Sequence, residues 1–424
     1  MRRITGLVLG FALLAAACSG DSSEPPSVIG FSEEPVVLSV WAWDGVLSPS
    51  LVADFERQNP DVRVDIRTSS FDQHHLGLES ALDAGGTLPD VVAIERTYLP
   101  DFVPSADQFV DLGDFGAGDI ADEYLEWRWD EGVDSDGRII GLPTDVGGLA
   151  LAYRTDLFAE AGLPSDPEVV AQLVGSWDDL LEVGDAFTEA GTQSRFIDSI
   201  NSLYFSRLGQ ETHAYVDDAG QQTLDDGVQQ VWDYAVEAID RDLTTGYAQF
   251  SPEWNAGFGD DSFAAIAAPS WMRGYIENIA PETASSWAIV AVPGVDGNWG
   301  GSQLSVPATG EYHEQAARFV RFMTSSGTQL ELFRESGNFP SIPELYSRPE
   351  IVELDDPFFG GQNVGRIYVD SVQDVPSQPK IPGQRDLDRL FSDALSEVEL
   401  GADADSVWET TRVQALEIIE AGGN

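Results

Sequence analysis

The chain has 424 residues, too many for one ordinary hydrophobic core, so two or three lobes are expected. Its 73 acidic residues against 22 basic ones give a formal net charge of −51, a surface that repels phosphate backbones and argues against a nucleic-acid partner. Cys18 is the one cysteine, which rules out an internal disulfide and any Cys-ligated zinc or iron–sulfur centre, and no cofactor is expected.

Met1-Arg2-Arg3 and the apolar run from Ile4 to Ala17 have the pattern of a signal peptide, too short to span a bilayer as a helix. Ala15-Ala16-Ala17-Cys18 resembles a bacterial lipobox, although Ala15 stands where a large aliphatic residue is usual. Lipidation at Cys18 would place the protein on the outer face of the cell membrane. Ser19 to Pro35, rich in Ser, Pro and acid, reads as a flexible tether.

Val36–Trp43 is β-branched and aromatic, a buried-strand pattern, and Asp44-Gly45 turns it. Ser50–Asn59 places Leu51, Val52 and Phe55 on one helical face before Pro60 breaks it. Val62–Ile66 alternates as a strand, a helix is expected around Leu76–Ala84, and Val91–Ile94 is the third strand. This alternation predicts an α/β lobe with a mostly parallel sheet, whose ligand loops follow the carboxyl ends of the strands. Leu149–Tyr153 is another strand, and helices dominate from Asp156 to about Ala248. Phe263–Ala268, Ala288–Val292 and Leu304–Pro307 read as strands. Glu314–Thr324, Gly327–Ser336, Asp386–Glu399 and Val407–Ala421 read as helices.

Certain segments carry a resemblance: Val40-Trp41-Ala42-Trp43-Asp44; Phe55-Glu56-Arg57-Gln58-Asn59-Pro60; Pro89-Asp90-Val91; Gly141-Leu142-Pro143; Tyr153-Arg154-Thr155-Asp156-Leu157-Phe158; Ser176-Trp177-Asp178-Asp179-Leu180; Pro269-Ser270-Trp271; Gly300-Gly301; and Pro340-Ser341. In this order the chain resembles the extracellular solute-binding proteins of carbohydrate ABC importers, the maltose-binding-protein-like family. Arg154 replaces the asparagine usual after the tyrosine. The resemblance implies a two-lobed periplasmic-binding-protein-like fold, each lobe a mostly parallel sheet flanked by helices, joined by a multi-strand hinge. The lobes are placed at 36–145 with 303–342 and at 146–302 with 343–424, with crossings near Thr144–Gly148, Ser302–Pro307 and Phe339–Leu345. It further implies a monomer that takes a sugar or oligosaccharide in the interlobe cleft and hands it to the permease.

A sugar site needs ring faces for C–H stacking and polar groups for hydroxyls. Trp41 and Trp43 share one strand face and serve either as stacking faces or as core. Asp44 and Glu95 follow strand ends, and Asp145 lies among the glycines of the presumed hinge. The family's cleft tryptophan corresponds to Trp271. Trp299 could wall the cleft, while Gly300 and Gly301 allow close backbone approach. Gln384 and Arg385 belong to the last cleft loop of the family pattern, and Tyr204 and Phe339 complete the candidates.

Two other readings remain open. One is a receptor of the same fold for a polyamine, a peptide or a phosphorylated polyol. The other is a secreted glycan-active enzyme, since acids and aromatics also suit hydrolysis; no catalytic residue can be assigned and the protein is not expected to be an enzyme. No metal site is expected, because adjacency points the rings of His74 and His75 apart.

Overall fold

The computed structural model describes residues 34–43 and 45–422. Cys18, the tether and Asp44 lie outside the described residues. Among the described residues nine strands build the two large sheets: Val36–Trp43 (β1), Val62–Ser69 (β2), Val91–Glu95 (β3), Leu142–Pro143 (β4), Leu149–Arg154 (β5), Arg195–Ile197 (β6), Phe263–Pro269 (β7), Trp287–Ala291 (β8) and Ser302–Ser305 (β9). The first sheet has the order β2-β1-β3-β9-β4 and the second β6-β7-β5-β8.

Strand β1 shows why its residues choose this fold. Leu38, Val40 and Ala42 are fully buried on one face, toward the helices Pro49–Gln58, His313–Met323 and Ser326–Ser336. Phe55 and Phe319 meet edge to face there at 5.0 Å. Trp41 points to the other face, where Leu78 and Leu82 of the helix Phe71–Asp83 pack with Val92 and Ile94. The second sheet is covered on both sides, so β5 is buried throughout. Leu151 and Tyr153 join Phe158, Phe187, Phe391 and Trp408, whereas Ala150 and Ala152 join Trp254, Phe258 and Trp287. The helices Gln384–Glu399 and Ala404–Gly422 close this second lobe.

The sheets are mixed, a correction to the mostly parallel expectation. Strand β1 runs parallel to β2 and β3, but β9 is antiparallel to β3 and β4. In the second sheet only β6 and β7 are parallel, and β5 is antiparallel to β7 and β8. The physical reason is the crossings: a chain that enters a lobe through the hinge and returns through it lays its strands in opposite senses. The helix expected near Leu76 begins at Phe71, and β6 interrupts the stretch expected to be mainly helical.

The chain passes from the first sheet to the second between Pro143 and Leu149 and returns between Ala291 and Ser302. The return therefore lies just ahead of the expected Ser302–Pro307, which is strand β9 and the residues after it. The crossing segments bond to one another. Gly147 N donates to Asn298 Oδ1 at 2.8 Å, Trp299 N to Gly147 O at 2.8 Å, and Val146 N to Phe339 O at 2.8 Å. A side chain on Gly147 would stand 1.9 Å from Trp299 O, so the approach admits only glycine.

Candidate functional site

An aromatic wall stands where β7 ends beside the hinge. Trp271 follows the strand by one intervening residue, Ser270, and caps the start of the helix Met272–Ile279. Its Nε1 donates to Trp299 O at 3.0 Å, and the two rings meet edge to face at 5.5 Å. Phe250 lies 6.4 Å from Trp271 with ring planes 22° apart, and Tyr275 meets Phe250 edge-on at 6.0 Å. Trp254 backs the group, 5.0 Å from Phe250, and its indole donates to the buried Asp198 at 2.7 Å. Trp271, Tyr275 and Trp299 are partly exposed.

The hinge glycines hold this wall. Gly300 and Gly301 have φ of 95° and 103°, a region that L side chains rarely adopt. A side chain on Gly300 would stand 3.0 Å from the Trp271 indole nitrogen, and one on Gly301 would stand 3.0 Å from Asp145 O. The Asp145 carboxylate is buried and committed. Its Oδ1 accepts from Thr144 Oγ1 at 2.6 Å and from Ser302 N at 2.9 Å. In this geometry Asp145 pins the crossing strands together.

A belt of charge adjoins the wall, joined to it where Arg96 N donates to Gly301 O at 3.0 Å. Glu131 accepts from Arg96 and Arg128, each at 2.6 Å, and Lys380 stands 3.6 Å away. Burial pulls the Glu131 carboxyl upward, but Arg96, Arg128 and Lys380 together hold it down at about 2. Burial depresses Lys380 to about 8, and Arg96 adds to the effect. Asp388 is pushed up to about 6 by burial while accepting from Tyr215 Oη at 2.7 Å. Burial also raises Glu95, whose carboxylate accepts from Thr97 N at 2.7 Å and from the Thr97 hydroxyl. Arg96, Arg128 and Glu131 belong to the first lobe. Lys380 and Asp388 belong to the segment packed on the second, tied there by Gln378 Nε2 bonding to Leu208 O at 2.8 Å.

Arg385 also spans the lobes. It pairs with Glu79 at 2.6 Å and lies 4.3 Å over the Tyr98 ring, which stacks on His75 at 3.8 Å. Gln384, its neighbour, is buried at the start of the helix. His74 and His75 prove to be close, their rings 4.8 Å apart at 90°, because both face the sheet beside Trp43. Glu95 N donates to His75 Nε2 at 3.1 Å, and burial lowers that ring to about 3, so it is neutral at ordinary pH. Among the described residues no group of three or more His, Cys, Asp or Glu side chains is arranged to hold a metal. Trp41 carries Arg67 over its ring at 5.3 Å.

The structure thus brings Asp145, Trp271, Trp299, Gly300 and Gly301 together at the hinge, and sets Glu95, Gln384 and Arg385 along the lobe boundary. Trp41 and Trp43 sit on the first lobe against the helix Phe71–Asp83. Two candidates are core residues. Phe339 is fully buried, 5.5 Å from Phe333 and from Tyr346. Tyr204 is fully buried and stacks 5.8 Å from Phe391, its hydroxyl making no hydrogen bond of good geometry. Sequence reasoning missed Phe250, Tyr275, Arg128, Glu131 and Asp388. The one usable signal was Lys380, the single lysine of the chain, set in the expected cleft loop.

Residues 50–357 match the sequence profile of the bacterial extracellular solute-binding proteins. The chain belongs to that family. A solved member of extracellular solute-binding protein family 1 is 30% identical and superposes with a TM-score of 0.84 over 91% of this chain and 100% of its own. This solute-binding protein is also similar to the arabinooligosaccharide-binding protein of Halalkalibacterium halodurans, 26% identical over 84% of this chain and 83% of that one. The lactose-binding protein of Rhizobium radiobacter is 24% identical over 80% of this chain and 83% of its own. The ABC-transporter-associated binding protein of B. animalis subsp. lactis, solved with β-1,6-galactobiose, shares the fold, with a TM-score of 0.73, 23% identity and coverage of 92% and 98%.

Proposed function

We propose that this solute-binding protein captures a sugar or oligosaccharide between its lobes and delivers it to the membrane permease of an ABC importer. The observation that carries the reading is the wall of Trp271, Trp299, Tyr275 and Phe250, gathered where the lobes meet. Ring faces stack on the C–H faces of sugars, and charged groups at the rim strengthen hydroxyl hydrogen bonds. The names of the relatives, which bind arabinooligosaccharides and lactose, point the same way. Closure is a population shift: a ligand touching both lobes favours the closed form by its extra contacts there. The lobes would be 36–145 with 303–342 and 146–302 with 343–424, the protein a monomer that performs no chemistry on its ligand, and Cys18 its lipid anchor on the outer membrane face.

A melting-temperature scan against mono- and oligosaccharides, polyols, peptides and polyamines tests this. A ligand that binds only the folded state stabilises it by about 2.7 kcal/mol at a hundredfold excess over Kd. A shift with one saccharide class supports the reading, and Trp271→Ala should then cost about fivefold or more in affinity. A shift only with a peptide or polyamine overturns the sugar assignment. Turnover of the bound glycan overturns the binding role.

A further inference from the structure

Phe250 occupies a conformation that its own side chain disfavours. It is the third residue of a tight turn closed by Ser251 N donating to Ala248 O at 3.1 Å, and its φ is +63°. Bulky residues are rarely found there, and turns that need positive φ take glycine or asparagine. Burial does not account for the phenylalanine, since Phe250 is 50% exposed. The turn does not need the ring either: Ser251 starts the next helix through Trp254 N donating to its Oγ at 3.1 Å.

The strained backbone aims the ring at the wall. Trp254, Trp271, Tyr275 and Trp299 all lie with ring centres within 6.4 Å of it. Trp254 supports it, anchored in turn on Asp198, while half of the surface of Phe250 stays exposed. Strain that persists at a partly exposed position is a mark of a functional site.

We infer that Phe250 is a ligand-contacting, affinity-determining ring, presented by its left-handed turn so that a saccharide stacks its C–H face on Phe250 alongside Trp271. The inference rests on the cleft reading above and adds to it a residue that nothing in the sequence pattern assigns.

The test uses the full chain and, as probe, whichever of lactose, β-1,6-galactobiose and arabinooligosaccharides gives the wild type its largest melting shift. Phe250→Ala should weaken binding of that probe at least fivefold by titration calorimetry, and Phe250→Trp should retain it within about twofold. Phe250→Gly, which relieves the strained φ, should melt as high as the wild type or higher while binding at least fivefold more weakly. Higher or equal stability with lost affinity is the signature a merely structural ring would not give. Wild-type affinity in both the alanine and glycine variants overturns the inference, as does a glycine variant that loses stability and affinity together without rescue by tryptophan. If Trp271→Ala loses affinity while Phe250→Ala keeps it, Phe250 falls and the cleft reading stands. If no saccharide binds the wild type, both fall.

Discussion

Arg385 on the second lobe and Glu79 on the first are joined by an ion pair of 2.6 Å across the lobe boundary. The same guanidinium lies 4.3 Å over Tyr98, and one residue before its helix Gly383 N donates to Asp101 Oδ1 at 2.7 Å. These contacts bridge the two lobes, so lobes that part must break them. They bias closure without touching a ligand. Arg385→Ala should therefore expand the unliganded protein, read as a larger radius of gyration by small-angle scattering. It should also weaken ligand binding by about threefold to tenfold, as expected for roughly 1 kcal/mol of lost closed-state preference at a partly exposed pair. An unchanged radius with unchanged affinity would refute the latch.

Glu131 is the shared anion of Arg96, Arg128 and Lys380. Replacing it with glutamine leaves those cations facing one another in a poorly hydrated place. Glu131→Gln should destabilise the fold by about 3 kcal/mol or more, the usual result of removing one partner from a buried ionic cluster. The carboxyl is held at about 2 against an ordinary 4.5, so its contribution is complete above the ordinary value and fades as pH falls toward 2. Chemical denaturation at pH 7 and pH 3 checks both statements, since the gap between variant and wild type should narrow at the lower pH.

Much of the scaffold was legible because its strands are short apolar runs bounded by turns. Val36–Trp43, Val91–Ile94 and Phe263–Ala268 announce themselves by period and β-branching. Strand direction was not legible, because the pattern of a strand says which face is buried and nothing about the sense of its partner. Arg195–Ile197 escaped because three residues carry no period. At the site, Trp271 was readable from its place after a strand end and Gly300-Gly301 from the family resemblance and the close backbone approach that glycine allows, and the structure sets them side by side. Glu131 meeting Lys380 was not, since each is an ordinary charged residue until the second lobe folds back onto the first. Phe250 was hidden for another reason: an aromatic residue in a turn looks like any half-buried ring until its φ is known. Tyr204 and Phe339 show the converse, rings whose sequence position suggested a cleft and whose packing consumed them.

Gly147 gives the hinge a sharp test. An added Cβ would lie 1.9 Å from Trp299 O, backbone that the crossing strands hold in place. Gly147→Ala should cost about 1–3 kcal/mol through forced displacement of that segment, and it should weaken ligand binding because Trp299 moves with it. Gly77 is the control. It lies in the helix Phe71–Asp83 with nothing within 4 Å of its would-be Cβ, so Gly77→Ala should stabilise by about 0.5–1 kcal/mol. Thermal melts of the two variants should move in opposite directions.

Asp198 predicts a pH dependence of the sign opposite to that of Glu131. Burial pushes its carboxyl up to about 7, against the pull of hydrogen bonds from Ser202 and Trp254. A group raised in the folded state holds its proton there while the unfolded chain has already released it. Its favourable contribution is complete below the ordinary value of 3.8 and is lost as pH rises through about 7. Asp198→Asn removes the titration and keeps an acceptor for the Trp254 indole, which donates to Asp198 at 2.7 Å. The variant should therefore lose less stability than the wild type between pH 4.5 and pH 7.5. Melting temperatures of both proteins across that range decide it, and parallel curves would mean that Asp198 does not titrate there. Because Trp254 supports Phe250, ligand affinity measured over the same range should weaken with pH in the wild type wherever ionisation of Asp198 shifts the indole, and should stay level in the asparagine variant.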